Sequence, residues 1–194
     1  MPDTIPLFPL RTVLFPEGAL KLRIFEPRYV DMIGHCMKQG TGFGVVLIVE
    51  GFEAGSPVTT AEVGTLARIV DFERLSDGLL GITAQGERRF RMLAARRQQD
   101  GLNVGDVEWL PAEVSGPIPP EHLDLAEVLR NLWPRLTEGR DLTTPRYDDA
   151  VWVSARLAEI VPLDAADRQR CLEISDPAAR LEYLRERIPA IAVE

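Results

Sequence analysis

The chain has 194 residues, which is enough for one ordinary domain or for a domain with a small second unit. Hydrophobic residues make up 45% of it and charged residues 27%, a balance that excludes a disordered chain and favours a globular one. The net charge of −8 disfavours nucleic acid and anionic membrane surfaces as partners, because an acidic surface repels both.

The sequence carries no sign of export. Its first residues lack the basic and apolar regions of a signal peptide, and no apolar run approaches the ~18 residues of a membrane span. Cys36 and Cys171 lie far apart among apolar neighbours and without C-x-x-C spacing, which is typical of reduced core cysteines. A cytoplasmic location is expected.

The first 110 residues carry the patterns of β-strands. Pro6, Pro9 and Pro16 predict short extended pieces at the start, because proline lacks the N–H that a central strand donates. Asp-Gly pairs at 77–78 and 100–101 predict tight turns. Apolar alternation and β-branched residues predict strands at 20–24, 43–50, 64–70, 79–85, 90–94 and 102–109.

One helix interrupts these strands. Pro27 suits its first turn, and Gly40 ends it. Between them Tyr29, Val30, Ile33 and Met37 make an apolar stripe, which predicts that one face of the helix is buried.

The composition changes at residues 111–120, which include four prolines and predict a connection. Apolar spacing is helical afterwards, and Pro134 is expected to kink or end the first helix near its last turn. Helices are predicted at 125–136, 148–161, 164–172 and 176–188. Asp164 is the candidate cap of the third helix, and Ser175 or Asp176 that of the fourth.

Together the predicted elements describe an α+β chain in three parts. A mostly-β body covers residues 1–110, the connection covers 111–120, and a small α-helical bundle covers 121–194.

The opening of the sequence resembles the amino-terminal domain of the Lon protease. The specific part is the order of Pro, Phe, Glu and Tyr positions in IPLFPLR at 5–11, VLFPEG at 13–18 and LRIFEPRY at 22–29. The likeness continues in both halves with GVVLI at 44–48, VGTLA at 63–67, GERRFR at 86–91, LAEIVP at 157–162, RQRCL at 168–172 and DPAARL at 176–181.

The resemblance implies a PUA-like β-barrel followed by a helical subdomain, in agreement with the order of the predicted elements. It also implies a role, because in Lon this domain helps to recognise unfolded or tagged protein substrates and supports assembly of the ring. Other PUA-like barrels bind RNA. The sequence leaves oligomerisation open.

The motifs of the two Lon activities are missing from the sequence. A P-loop needs Gly-Lys before Ser or Thr, but the only lysines, Lys21 and Lys38, follow Leu20 and Met37. In Lon the lysine of the Ser-Lys dyad follows its serine, whereas every serine here comes after Lys38. We therefore expect a stand-alone, non-catalytic module that works alone or with a separately encoded ATPase or protease.

No metal or other cofactor is predicted. His35 and Cys36 could join Cys171 as zinc ligands, but neighbours on a helix diverge by about 100° and no fourth ligand is evident. His122 lies beside acidic residues at a helix start, where we expect it to be solvated.

Two interpretations are open for the most Lon-like segment. In one, Glu26 caps the helix and Tyr29 fills the core. In the other, the segment forms a groove rim for an extended peptide, added as a strand at a barrel edge. The candidate peptide-binding residues are Phe15, Phe25, Glu26, Arg28 and Tyr29.

A second candidate site is the arginine-rich segment with Arg88, Arg89, Arg91, Arg96 and Arg97. On a strand, Arg89 and Arg91 share one face while Phe90 faces the core. The segment is either an outer face paired with carboxylates or a patch for an acidic peptide or RNA.

The sequence thus favours a module that recognises polypeptide segments. The alternative is a PUA-like module that binds RNA or a nucleotide through the arginine-rich strand. Binding that falls steeply with salt would distinguish the alternative from the first hypothesis.

Overall fold

The computed structural model describes residues 2–51, 59–137 and 144–188. The chain forms two compact units, Met1–Pro111 and Ala112–Glu194. The first contains β1 (Asp3–Leu10), β2 (Ala19–Ile24), α1 (Pro27–Gln39), β3 (Phe43–Glu50), β4 (Thr59–Thr60), β5 (Val63–Arg74), β6 (Leu80–Arg97) and β7 (Asn103–Trp109). The second contains a 3-10 turn (Pro120–His122), α2 (Leu123–Thr137), α3 (Ala150–Ile160), α4 (Ala165–Glu173) and α5 (Pro177–Arg187).

Five strands of the first unit pair around a closed ring. β1 is parallel to β3 and antiparallel to β7, and the antiparallel pairs β7–β6, β6–β5 and β5–β3 complete the circuit. Side chains such as Phe43, Val45, Ala67 and Ile82 are buried in its core. The prediction of a mostly-β barrel followed by helices is confirmed.

β1 runs without a break through Pro6 and Pro9, where the sequence predicted short separate pieces. Pro6 pairs only with β7, because the pairing with β3 begins at Leu7. Pro9 lies beyond the β7 ladder and pairs only with β3. Each proline therefore lies where β1 has one neighbour, and the missing N–H is accommodated on the other side.

β6 is one strand of 18 residues, where the sequence predicted separate strands at 79–85 and 90–94. It pairs with β2 over its first residues, with β7 over its last, and with β5 along most of its length. Register shifts interrupt the ladders with β5 and β7. Irregularities of this kind bend and twist a strand, which lets β6 join two parts of the sheet.

α1 packs one face on the core of the first unit, but of the predicted stripe Tyr29 and Ile33 are buried whereas Val30 and Met37 are exposed. Tyr29, Met32, Ile33 and Cys36 are its buried residues. Pro27 lies in the first turn, and the helix ends before Gly40, whose φ of 65° is left-handed. The bounds predicted for this helix are confirmed.

Three helices of the second unit, α3, α4 and α5, begin at aspartate caps. Asp149 accepts a hydrogen bond from the Val151 N–H. In the same way Asp164 accepts from the Asp167 N–H, and Asp176 accepts from the Ala178 N–H. α2 continues past Pro134 to Thr137. No helix in the described ranges combines the length and the apolar character that crossing a bilayer requires.

Arg180 of α5 is buried and makes several hydrogen bonds within the second unit. It is 1% exposed, its Nε donates to the Cys171 carbonyl at 2.8 Å, and its Nη1 donates to Ser154 Oγ at 3.1 Å and to Glu113 Oε2 at 3.0 Å. Arg180 thereby joins α5 to α3, to α4 and to the stretch before α2.

Candidate functional site

The segment predicted as a groove rim, residues 25–29, has one buried side chain, Tyr29, while its other side chains are exposed or half-buried. Tyr29 is 4% exposed and its ring stacks on Phe8 with centroids 4.0 Å apart, while Phe15 is 1% exposed. Both side chains belong to the part of the first unit that is closed to solvent, which disfavours Phe15 and Tyr29 as peptide-binding residues, and their assignment stays a prediction. Phe25 is 64% exposed and stays a candidate.

Glu26 and Arg28 bind each other and the adjoining turn. Arg28 Nη2 lies 2.7 Å from Glu26 Oε2, and Arg28 Nη1 donates to the Gly101 carbonyl at 2.7 Å. Glu26 occupies the N-cap position, but its side chain makes no cap hydrogen bond, so the predicted capping is wrong. The pair ties the start of α1 to the turn between β6 and β7.

The arginine-rich strand does not present the face that the sequence predicted. Phe90 lies in the core, as expected, but Arg89 is 4% exposed. The chain just after β7 contacts β6 at Arg89, because the Leu110 N–H donates to the Arg89 carbonyl at 3.0 Å. Arg91 is exposed and stands opposite Glu108 in the pairing with β7.

The other arginines of β6 contact residues of the first unit, and among them the charge of Arg96 is offset by a carboxylate. Arg88 lies over the Trp109 ring at 3.6 Å, Arg96 pairs with Asp106 at 3.0 Å, and Arg97 Nε donates to the Gly101 carbonyl at 3.3 Å.

His122 is buried in the second unit, whereas the sequence predicted a solvated side chain. It is 3% exposed, Arg185 Nε donates to its Nδ1 at 3.2 Å, and Glu182 Oε2 lies 3.5 Å from its Nε2. α5 therefore covers it, which spacing along the chain could not indicate. Among the described residues, no group of three or more histidine, cysteine or acidic side chains could hold a metal ion.

A pocket of about 290 Å³ lies in the first unit between the end of α1 and the outer part of β5. We call it the β5 groove. Its lining is Cys36, Met37, Gly40 and Thr41 on one side and residues 68–72 of β5 on the other.

Three large apolar side chains of the β5 groove are exposed to solvent. Met37 is 41% exposed, Val70 is 52% exposed and Phe72 is 59% exposed. Grouped apolar exposure beside a concavity is typical of an interaction site, whereas single exposed residues are common on any surface. The sequence interpretation missed this site because it placed Met37 on the buried helix stripe and Val70 in a buried strand.

The wall formed by Cys36 is apolar in character. The thiol is buried and free, and Sγ lies 3.5 Å from the Gly42 carbonyl, to which it donates. Burial raises the pKa of the Cys36 thiol, so the sulfur remains neutral and behaves as a small hydrophobic group.

The chain is similar to one family over nearly its whole length. The ATP-dependent protease La (LON) substrate-binding domain matches residues 4–188. Lon protease from Haemophilus influenzae is 24% identical over 190 residues, which cover 93% of this chain and 23% of that protein. Protein cereblon from Danio rerio is 32% identical over 116 residues, which cover 58% of this chain and 26% of that protein.

Solved structures show the same likeness. The Lon N-terminal domain protein from Xanthomonas campestris is 38% identical with a TM-score of 0.83, and the match covers 96% of this chain and 99% of that one. The N-terminal domain of the Mycobacterium avium complex Lon protease shares the fold, with 16% identity and a TM-score of 0.68.

The chain spans about a quarter of the length of the curated relatives that it matches, so the likeness concerns one domain of those proteins. The matched range nevertheless takes in both of its units. The chain belongs to the ATP-dependent protease La (LON) substrate-binding domain family.

Proposed function

We propose that this chain is a non-catalytic recognition module that binds unfolded or extended segments of polypeptide. The observation that carries the proposal is the β5 groove, where Met37, Val70 and Phe72 expose apolar surface around one pocket. An apolar concavity of this kind suits apolar side chains that native proteins bury and unfolded chains expose. Membership of a substrate-binding domain family supports the same proposal.

The test is fluorescence anisotropy with labelled, reduced and carboxamidomethylated lysozyme, which cannot refold. Labelled native lysozyme is the matched control, because it has nearly the same sequence and charge in a folded state. We expect saturable binding of the unfolded form that survives moderate salt, since burial of apolar surface is weakly screened. Equal binding of both forms, or binding of neither, would contradict the proposal.

The same titration separates the alternative function. A labelled single-stranded RNA that bound through β6 would lose affinity steeply as salt rises. Arg89 is buried, Arg96 pairs with Asp106 and Arg97 bonds to the Gly101 carbonyl, which weakens the RNA hypothesis, whereas Arg88 and Arg91 are exposed. A cytoplasmic location and the absence of catalysis stay predictions.

A further inference from the structure

The outer part of β5 has an open edge. β5 pairs with β3 only as far as Ala67, which lies opposite Phe43. Residues 68–74 continue beyond that point and pair with β6 alone, and the far side of β6 is already paired with β2. Within the described residues, no strand lies along the outer side of residues 68–74.

The backbone groups on this edge can be identified from the ladder. The Leu75 N–H donates to the Leu79 carbonyl, and the register is unbroken from there to Asp71 opposite Thr83. Because hydrogen-bonded pairs alternate in an antiparallel ladder, Phe72 and Arg74 direct their N–H and C=O groups away from β6.

The side chain of Asp71 already accepts a hydrogen bond from one of these outward-facing backbone groups. The Phe72 N–H donates to Asp71 Oδ1 at 2.9 Å instead of to a neighbouring strand. A charged side chain on an edge discourages uncontrolled pairing with other chains. Asp71 is exposed, however, so an incoming strand can displace its carboxylate into water without burying it.

The edge and the pocket lie side by side. Residues 68–72 line the β5 groove, and they are also the first residues of the open edge. A strand added to this edge would direct every second side chain toward the same face. The pocket lies at the lower limit of the ~300–1,000 Å³ typical of small-molecule sites, so it suits a single side chain.

Asp71 and Glu73 alternate with Phe72 and Arg74, so the two carboxylates lie on one face of the extended strand and the exposed Arg74 cation lies on the other. Asp71 and Glu73 are exposed, and neither forms an ion pair with a described residue. Arg68 faces the same region, but its charge is offset by Glu87, 2.5 Å away. With a net charge of −8 for the whole chain, a basic ligand is the complementary one.

We propose that residues 68–74 accept an added strand from a polypeptide in which apolar residues alternate with lysine or arginine. The strand bonds to the backbone of Phe72 and Arg74, places an apolar side chain in the β5 groove, and sets its cations beside Asp71 and Glu73. The proposal rests on the proposed function and names the ligand class and the mode of binding.

The first test is a short labelled peptide in which lysine alternates with valine and phenylalanine, measured with the full chain. Two isomers are compared, one methylated on the lysine amides and the other on the amides of the apolar residues. An added strand bonds through one set of amides only. We expect one isomer to bind about fivefold more weakly or worse and the other to bind like the parent. Equal affinities for the two isomers would overturn the strand-addition mode.

The second test compares two variants of matched exposure. Phe72 is 59% exposed beside the groove, and Leu93 is 56% exposed on β6 and outside the lining of the groove. We expect Phe72→Ser to weaken the peptide at least about fivefold and Leu93→Ser to leave it unchanged, with circular dichroism showing that both fold. Equal losses of peptide affinity in the two variants would show that the peptide does not bind at the β5 groove.

A parallel titration with unfolded lysozyme keeps the two proposals apart. If lysozyme binds and is insensitive to Phe72→Ser, the strand-addition site is wrong while the proposed function stands. If neither lysozyme nor peptide binds, both are wrong.

Discussion

Gly86 of β6 occupies a position that admits no side chain. A Cβ there would lie 2.1 Å from the Phe15 carbonyl oxygen. The backbone around it is tied to the preceding loop, because the Gly86 N–H donates to the Gly18 carbonyl and the Glu17 N–H donates to the Gly86 carbonyl. The loop before β2 is thus held directly against β6.

Gly86→Ala should lower the free energy of unfolding by about 1–3 kcal/mol, because the loop must move to admit a methyl group. Urea denaturation followed by circular dichroism measures the loss. Gly34→Ala is the control in the same unit, since a Cβ added at Gly34 inside α1 would meet nothing within 4 Å. For Gly34→Ala we expect the free energy of unfolding to rise by about 0.5–1 kcal/mol. Similar changes in the two variants would contradict a steric clash at Gly86.

Glu159 is a carboxyl group with an unusual environment in the second unit. Burial raises its pKa to about 7 from the usual 4.5, and the nearby Arg156 and Arg168 oppose the shift only in part. Its side chain is 22% exposed and accepts from Arg156 Nη2 at 3.0 Å. The folded chain therefore binds the Glu159 proton more tightly than the unfolded chain does.

Stability that depends on a raised carboxyl pKa is fully present below about pH 4.5 and is lost as the pH rises through 7. We expect the free energy of unfolding to fall on the order of 2 kcal/mol more in the parent than in Glu159→Gln between about pH 5 and about pH 7.5. Urea titrations monitored by tryptophan fluorescence measure it, with Glu173→Gln as control. Parallel pH profiles of parent and Glu159→Gln would refute the shift.

At the scale of elements, α3, α4 and α5 of the second unit meet at Arg180. The segment that the sequence described as a connection supplies Glu113, which is 8% exposed and ion-paired to Arg180. The family-like stretch at 176–181 contained this arginine, but only the packing of α3, α4 and α5 around it indicates its structural role.

Arg180→Ala should destabilise the second unit by about 3–5 kcal/mol, because it leaves the Glu113 carboxylate buried without its partner. Arg185→Ala is the matched control in the same helix, since the Arg185–Asp124 pair is exposed and should contribute less than about 1 kcal/mol. Thermal unfolding followed by tryptophan fluorescence in a Trp109→Phe background, which keeps Trp133 and Trp152, reports on this unit. Comparable losses of stability in the two variants would contradict a stabilising role for the buried Arg180–Glu113 ion pair.

Elements differ in how far the sequence predicts them. α1 and the starts of α4 and α5 were predicted at their observed positions, because Pro27, Asp164 and Asp176 act on backbone within a few residues. β6 was predicted as two strands, because the partners that make it continuous come from β2, β5 and β7.

At the scale of the whole molecule, the barrel closes within residues 1–111 and the β5 groove lies inside the same unit. A fragment that ends at Pro111 should therefore fold on its own and bind unfolded lysozyme within about twofold of the full chain. Circular dichroism tests whether the fragment folds, and fluorescence anisotropy tests whether it binds unfolded lysozyme. A folded fragment that has lost binding would place the site elsewhere.

The sequence by itself determined the class of fold, the order of strands and helices, and the family, because these follow from apolar periodicity, turn residues and motif order. Tertiary structure decided which side chains are available. Phe15, Tyr29, Arg89 and His122 are buried, and Met37, Val70 and Phe72 are exposed. The exposure of a side chain depends on neighbours that are distant in sequence, so a local pattern of residues cannot predict it.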